Sequence, residues 1–356
     1  MFKNSLKLAM IGCGGRGTFG SLTRTPRRTY PAYQRESSDG YKIMRILPKK
    51  ATNSQSAHRS TLEIRWTPKA ELPVPLQSLT TKATVINNRI YVVGGRSDQY
   101  PDSSFTFEYD PQRDSWTRKT DVPVKHHLLV TVAHGGKIYV LSEDLQHNYV
   151  YDPSTDRWRP FAPCPNSRIP VTAAVVDGKI HLMSGIHDIV FNLSAKIDVY
   201  DPAIDTWHEK KPMPDPRIAS PVVVDGKIYL FGGIQPVKNE HRALYVDAVD
   251  VYDPKTETWE KRTPGSTGPA VLSKGYVFVV GGCVGEIPNK ERAIKEVYAY
   301  NLRTDKWQPS TDLPRPTLGA AVVVLNDRLH VIGGSNGPPE WKDYGFHLQG
   351  VIVVTP

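Results

Sequence analysis

The chain has 356 residues and a net charge of +9. Residues 1–57 hold 11 Lys/Arg against two acids, Glu36 and Asp39, while the rest of the chain balances at 34 of each sign; a nucleic-acid-binding body, which needs its own basic stripe, is therefore not expected. No apolar run reaches the roughly 18 residues of a membrane span, and Cys13, Cys164 and Cys283 lack the spacing of a disulfide framework or zinc centre, so no metal or cofactor is expected.

The N-terminal segment comes first in chain order. Lys7-Leu8-Ala9-Met10-Ile11 precedes Gly12-Cys13-Gly14-Gly15-Arg16-Gly17, which looks like the first turn of a dinucleotide-binding oxidoreductase. That motif needs a helix next, to aim its dipole at a pyrophosphate. Gly20 and Pro26 cut such a helix short, and Asp39 sits in a Ser37-Ser38-Asp39-Gly40 turn. Residues 1–57 thus read as a basic, disordered extension, with a vestigial dinucleotide-binding fragment as the account of its glycines. An Arg- and Ser/Thr-rich, acid-poor segment also suits organelle targeting, and Met10-Ile11-Gly12-Cys13 faintly suits export. The cytoplasm is the expected compartment, targeting or export the alternative.

From residue 58 onward one pattern recurs about every 42 to 52 residues. Apolar runs of strand character are Ile90–Val93, Ile138–Leu141, Ile180–Met183, Ile228–Phe231, Val277–Val280 and Leu329–Ile332. Each follows a tight-turn pair: Asn87-Asn88, Gly135-Gly136, Asp177-Gly178, Asp225-Gly226, Lys274-Gly275 and Asn326-Asp327. Such residues tolerate positive φ, so strands one and two are predicted to form hairpins. A third strand ends at Tyr109, Tyr151, Tyr200, Tyr252 or Tyr300, before an Asp-Pro turn or its Asn301 variant, and a fourth carries Trp116, Trp158, Trp207, Trp259 or Trp307. Four antiparallel strands make one propeller blade.

Strand, diglycine, Tyr-Asp-Pro and spaced Trp in register resemble the kelch repeat family over roughly residues 60–356. Blade two departs with Ser142-Glu143 for Gly-Gly, and blade three with Ser184-Gly185. The resemblance implies an all-β, six-bladed kelch-type β-propeller at 58–356. The last unit lacks its Trp strand, and Leu62–Pro68 carries an orphan Trp66 in step with the series. The N-terminal strand is therefore predicted to complete the last blade and close the ring. Diglycines and register tryptophans read as packing devices rather than phosphate loops or stacking platforms.

Function is expected on the loops that join strands two and three, and strand four to the next blade. Those of blades four to six, Ile234–Ala243, Cys283–Ala293 and Ser335–His347, are the longest and are expected to wall a pocket or recognition surface. In the second loop set, the fourth position after a proline reads Leu76, His126, Arg168, Arg217, Thr267 and Thr317 around the ring. His126, Arg168 and Arg217 are thus ligand-binding candidates, because Arg's donor fork suits a carboxylate or phosphate. The resemblance implies the same: in kelch-like adaptors, Arg at similar positions grips acidic peptide motifs. The competing reading pairs each Arg with a neighbouring acid such as Asp215 or Glu143. Glu143, which interrupts a diglycine, and Trp341, outside the repeat register, complete the candidate set.

The expectation is a non-enzymatic protein-binding scaffold whose partner is a protein or peptide with an acidic motif. The alternative is a sugar-isomerising enzyme acting on a small anionic sugar, with Glu143 or Glu286 beside an Arg. A sialic-acid mutarotase of similar six-bladed kelch architecture is the resemblance behind it. A kelch-type copper oxidase is not expected, since its seven blades and Tyr/His/Cys copper set have no counterpart here.

Overall fold

The computed structural model describes residues 61–76, 83–96, 99–100, 103–124, 129–169, 172–187, 192–237, 240, 242–288, 290–337 and 345–355. The N-terminal extension, His126 and Trp341 lie outside them. The described residues form strands and no helix. Strand β1 (Thr61–Lys69) comes first. Blade one is β2 (Ala83–Ile86), β3 (Arg89–Val93), β4 (Thr106–Asp110) and β5 (Ser115–Arg118). Blade two is β6 (Val130–His134), β7 (Lys137–Leu141), β8 (Asn148–Asp152) and β9 (Arg157–Phe161). Blade three is β10 (Thr172–Val176), β11 (Lys179–Met183), β12 (Ile197–Asp201) and β13 (Thr206–Lys210). Blade four is β14 (Ile218–Val224), β15 (Lys227–Pro236), β16 (Ala243–Asp253) and β17 (Thr258–Arg262). Blade five is β18 (Ala270–Ser273), β19 (Tyr276–Val284), β21 (Arg292–Asn301) and β22 (Lys306–Pro309), with the short β20 (Glu286–Ile287) in its loop.

Blade six is β23 (Ala321–Leu325), β24 (Arg328–Ile332) and β25 (His347–Thr355), with β1 as its outer strand. The pairing runs from Thr61↔Thr355 to Lys69↔His347, so the first described strand closes the ring as the orphan Trp66 predicts. Gly350 stands opposite Trp66, where other blades have Tyr opposite Trp. A Cβ on Gly350 would lie 2.6 Å from the Trp66 ring, so the substitution makes room for the indole. Inner strands contact their neighbours around the whole circle, β2 to β6, β10, β14, β18, β23 and back to β2.

Local chemistry explains the hairpins. Both central residues of each inner turn have positive φ, from Asn87 (48°) and Asn88 (60°) to Lys274 (49°) and Gly275 (77°). This is the two-residue turn whose twist matches paired strands. Apolar residues on the two faces of each blade then pack against the neighbouring blades. Six main clusters result, one at each junction, such as Val93 and Leu129 with Ile138 and Val140 between blades one and two.

A polar clamp spans four of these junctions. Asp156, in the turn between strands three and four of blade two, accepts the Tyr151 hydroxyl (2.5 Å) and the Thr120 amide of the preceding blade (2.9 Å). The Trp158 indole N–H returns to the Thr120 carbonyl (2.8 Å). The same set recurs as Tyr109, Asp114, Ala70 and Trp116; as Tyr200, Asp205, Ala162 and Trp207; and as Tyr300, Asp305, Thr263 and Trp307. Burial pushes the Asp156 carboxyl up, but the hydroxyl and amide donated to it hold it below the usual carboxylate range.

Blade four breaks the clamp. Glu257 replaces the aspartate and turns to Lys210 Nζ (2.8 Å) and the Lys211 amide (3.2 Å). The Tyr252 hydroxyl and Trp259 indole N–H are left buried without a protein partner.

Asp156→Ala should cost about 2–4 kcal/mol, because it leaves a buried hydroxyl and a backbone amide unpaired. Glu257→Asp, by contrast, should raise the thermal midpoint by supplying the shorter carboxylate that Tyr252 lacks. Thermal unfolding of both variants checks this; a Glu257→Asp midpoint at or below wild type would show that side-chain length is not what breaks the clamp. The depressed Asp156 carboxyl binds fewer protons in the fold than when unfolded, so its stabilisation holds above about pH 4 and is lost as the pH falls further.

Candidate functional site on the loop face

The turns between strands two and three lie beside the loops that enter the next blade. Gly232 meets Thr267 so closely that an added Cβ would sit 2.5 Å from its Cα, and the Gly233 amide donates to Thr267 Oγ1 (3.0 Å). Likewise the Gly282 amide donates to the Thr317 carbonyl and the Gly334 amide to the Leu76 carbonyl (both 2.9 Å). The diglycines therefore let one blade's loop nest against the next. This places the aligned positions Leu76, Arg168, Arg217, Thr267 and Thr317 in one layer, and all five are buried.

The structure places both candidate arginines inside the protein. The Arg168 side chain is 0 % exposed. Its guanidinium donates to Asp198 Oδ2 (2.5 Å) and to the carbonyls of Ser184 (2.7 Å), Asn166 (2.9 Å) and Leu182 (3.4 Å). Arg217, at 2 % exposed, bonds Asp250 and the carbonyls of Gly232 (2.8 Å) and Leu230 (3.1 Å). Both planar forks are buried and turned to internal acceptors, an acid and two or three backbone carbonyls each. Each Arg ties the end of its blade's second strand to an acid on the third. Arg168 is also why blade three keeps Gly185, since a Cβ there would lie 2.5 Å from its Cδ.

The acids in these pairs are not the neighbours considered from sequence. Asp215 instead bonds Lys261 Nζ (2.9 Å), and that ammonium lies 3.9 Å from Asp250. A sequence signal for the true partners existed. Aspartate stands two residues before the Tyr in blades three and four alone, as Asp198 and Asp250, where blades one, two and five have Phe107, Tyr149 and Tyr298. The same two blades alone carry Arg at the loop position.

Glu143 is half-buried in the loop of blade two. That loop is organised by its neighbour Asp144, which accepts from the Ser142 hydroxyl (2.7 Å) and the Gln146 and His147 amides (2.9 and 3.1 Å), and pairs with His147 Nδ1 (2.6 Å). Burial pushes the Asp144 carboxyl up, but these donors together hold it well below the ordinary range. Ser142-Glu143 thus opens a compact turn that buries Leu145, rather than a drifted diglycine. Among the described residues no group of three His, Cys, Asp or Glu could hold a metal ion, and no helix is long and apolar enough to cross a membrane.

Blades four and five differ from the rest. Their second and third strands run on past the glycines, pairing Pro236↔Ala243 and Val284↔Arg292, so segments predicted as loops are extensions of hairpins. The reason is strand β20, which pairs with blade four's β16 through Ala243↔Ile287 and Leu244↔Glu286. Beneath it lies a small core of Ala243, Tyr245, Cys283 and Ile287, with Ile234 and Leu318 against it. The two hairpins form one ridge on the loop face. It carries Glu240 paired with Arg242, Glu286 with Arg242 (3.2 Å), and Glu286 with Lys290 (3.6 Å). Arg242 holds the Glu240 carboxyl below its ordinary range. Sequence showed the length of these loops but not their pairing, because a two-residue strand has no periodicity to read.

Known proteins share this architecture. α-Scruin of Limulus polyphemus is 27% identical over 256 residues, covering 68% of this chain and 22% of its own length. Kelch-like protein terF of Aspergillus terreus is 28% identical over 279 residues (71% and 60%), and mouse Kelch-like protein 35 is 23% identical over 301 residues (82% and 40%). The chain therefore spans less than two thirds of each of these relatives. The solved structure titled "Structure of YjhT" superposes with a TM-score of 0.66 at 17% identity, covering 81% of this chain and 99% of that one, a likeness of fold. Residues 90–340 match the family model described as the Attractin/LZTR1 beta-propeller. With six blades, a kelch-type repeat and this match over most of its length, the chain belongs to the Attractin/LZTR1 β-propeller family of kelch-type propellers.

Proposed function

We propose that the chain is a non-enzymatic recognition module that binds a segment of another protein along the ridge of blades four and five. The ridge itself carries this reading: β20 joins two hairpins, and Glu240, Arg242, Glu286 and Lys290, at or just beyond their strand ends, pair with one another on the loop face. Kelch-type propellers commonly mediate protein–protein interaction, and the kelch-like relatives support a protein partner. Acids and bases alternate along the ridge, which favours a partner segment bearing both charges over a purely acidic motif. Specificity would come from opposite charges meeting in register, and a reversed sign should repel.

The test is affinity capture with the full chain, comparing wild type with Arg242→Glu/Lys290→Glu. A protein retained by wild type and lost by this variant, with unchanged thermal unfolding, is the expected result. Retention by both would remove the ridge as the binding site. Turnover of a sugar acid by wild type that Glu286→Gln abolishes would instead establish the isomerase alternative.

Arg217→Ala should act through stability. It leaves buried Asp250 with only Lys261 at 3.9 Å and should cost about 3–5 kcal/mol, whereas Arg217→Met/Asp250→Leu should cost less than the single change. Chemical denaturation checks this; an Arg217→Ala protein of wild-type stability that has lost its partner would return the arginine to the binding surface.

A further inference from the structure

The junction between blade six and blade one differs from the other five in its polar content. His330 on β24 and His347 on β25 are 0 % and 1 % exposed, and their rings meet through His330 Nδ1 and His347 Nε2 at 2.7 Å. Both rings face blade one. The Tyr109 ring stands edge-on to His347 at 4.4 Å, and the Trp116 ring is 5.6 Å away. Gln349 lies behind, 3.5 Å from His330 Nε2, and accepts from Arg328 (3.0 Å). The ring also closes here, because β25, which carries His347, is held within blade six to the N-terminal strand β1 by a ladder that begins at Lys69↔His347.

The charges around the pair offer little to an imidazolium. Lys69 from β1 and Arg328 from β24 are cations that oppose it. The acid contributed by blade one is Asp114, whose carboxylate already accepts the Tyr109 hydroxyl (2.7 Å) and the Ala70 amide (3.0 Å) and lies 3.8 Å from Lys69 Nζ. Tyr109 contributes a neutral ring. One hydrogen bond between two imidazoles needs a donor and an acceptor nitrogen, so a doubly protonated pair would set two N–H groups against each other.

We propose that the His330–His347 pair is an acid-sensitive latch on ring closure, whose opening parts β25 from β1 and from blade one while the junctions among blades one to five hold. Burial pushes both imidazoles well below their ordinary range. The sign follows directly. When the junction opens, each ring recovers a pKa near 6.5 and binds protons that the closed form does not. Closure is therefore complete above that range and weakens as the pH falls below it. His181 occupies the matching place in blade three, buried and pushed down by burial, but stands without a second histidine. Its junction takes up at most one proton, so its opening gains about tenfold per pH unit where the closing junction gains up to about a hundredfold.

Amide hydrogen exchange on the wild-type full chain at pH 7.5 and pH 5.5, compared as protection factors, reads the latch directly. Protection in β1 and β25 is expected to fall more than tenfold, and further than in β11 and β12. Protection that stays level in β1 and β25, or that falls first in β11, overturns the proposal. A second measurement uses thermal midpoints across the same range. His330→Gln/His347→Gln should flatten the acid dependence and His181→Gln should leave most of it; equal slopes in the wild type and the double variant would show that other groups set it.

Discussion

One carboxylate per junction, placed in the turn before the outer strand, holds most of this ring together. Apolar contact between blades is non-directional and would tolerate sliding or rotation of one blade on the next. The aspartate removes that freedom. It fixes a tyrosine of its own blade and a backbone amide of the blade before, and the tryptophan two residues later returns to the carbonyl of that same residue. Four groups thus share one geometry across the junction, and each would be left unsatisfied by a shift of an ångström or two. Five of these turns place the residue at positive φ, from 48° to 54°, including Glu257 where the clamp itself fails. Backbone geometry is therefore retained even where the side chain no longer reaches.

The junction between blades five and six obeys different constraints because the outer strand of blade six is β1, far from β25 in sequence. No turn joins β25 to β1, so no clamp aspartate can exist between blades five and six. Ile64 and Ser310 take over instead, through the Thr311 hydroxyl (2.9 Å) and the Leu62 carbonyl (2.7 Å). Nine paired residues between β1 and β25 supply the continuity that a turn would otherwise give.

The fold was legible because its signals are local. Tight-turn pairs, Tyr-Asp-Pro and the Trp each fall within a few residues of the strand they end or begin, and Trp66 is out of place in a way only ring closure explains. The clamp aspartate is equally regular, as Asp114, Asp156, Asp205 and Asp305 two residues before each Trp, but an aspartate in a turn ordinarily signals a bond to its own backbone rather than to the neighbouring blade. The site was far less legible. Repeat alignment gives the backbone place of Arg168 and Arg217, but a guanidinium on a long stem can point outward or inward from the same place. What decides is the partner, and Asp198 and Asp250 lie about 30 residues away on another strand. Only their joint occurrence in blades three and four reveals the pairing.

Burial of these arginines changes what kind of surface the loop face is. A channel mouth ringed by free guanidinium groups would attract any anion, with little selectivity. Here those charges are neutralised inside, and the ridge of blades four and five carries its charges in pairs of opposite sign. Field is thereby exchanged for pattern: little net attraction at a distance, but a fixed order of acid and base at contact. Mutual pairing makes such a pattern useful, since a partner then meets charges already ordered by one another rather than free side chains it must order at a cost. Strand β20 brings the paired charges of the two blades together. By borrowing the edge of blade four for a loop of blade five, it turns two separate hairpins into one surface, and it does so on blades whose own junction keeps a complete clamp.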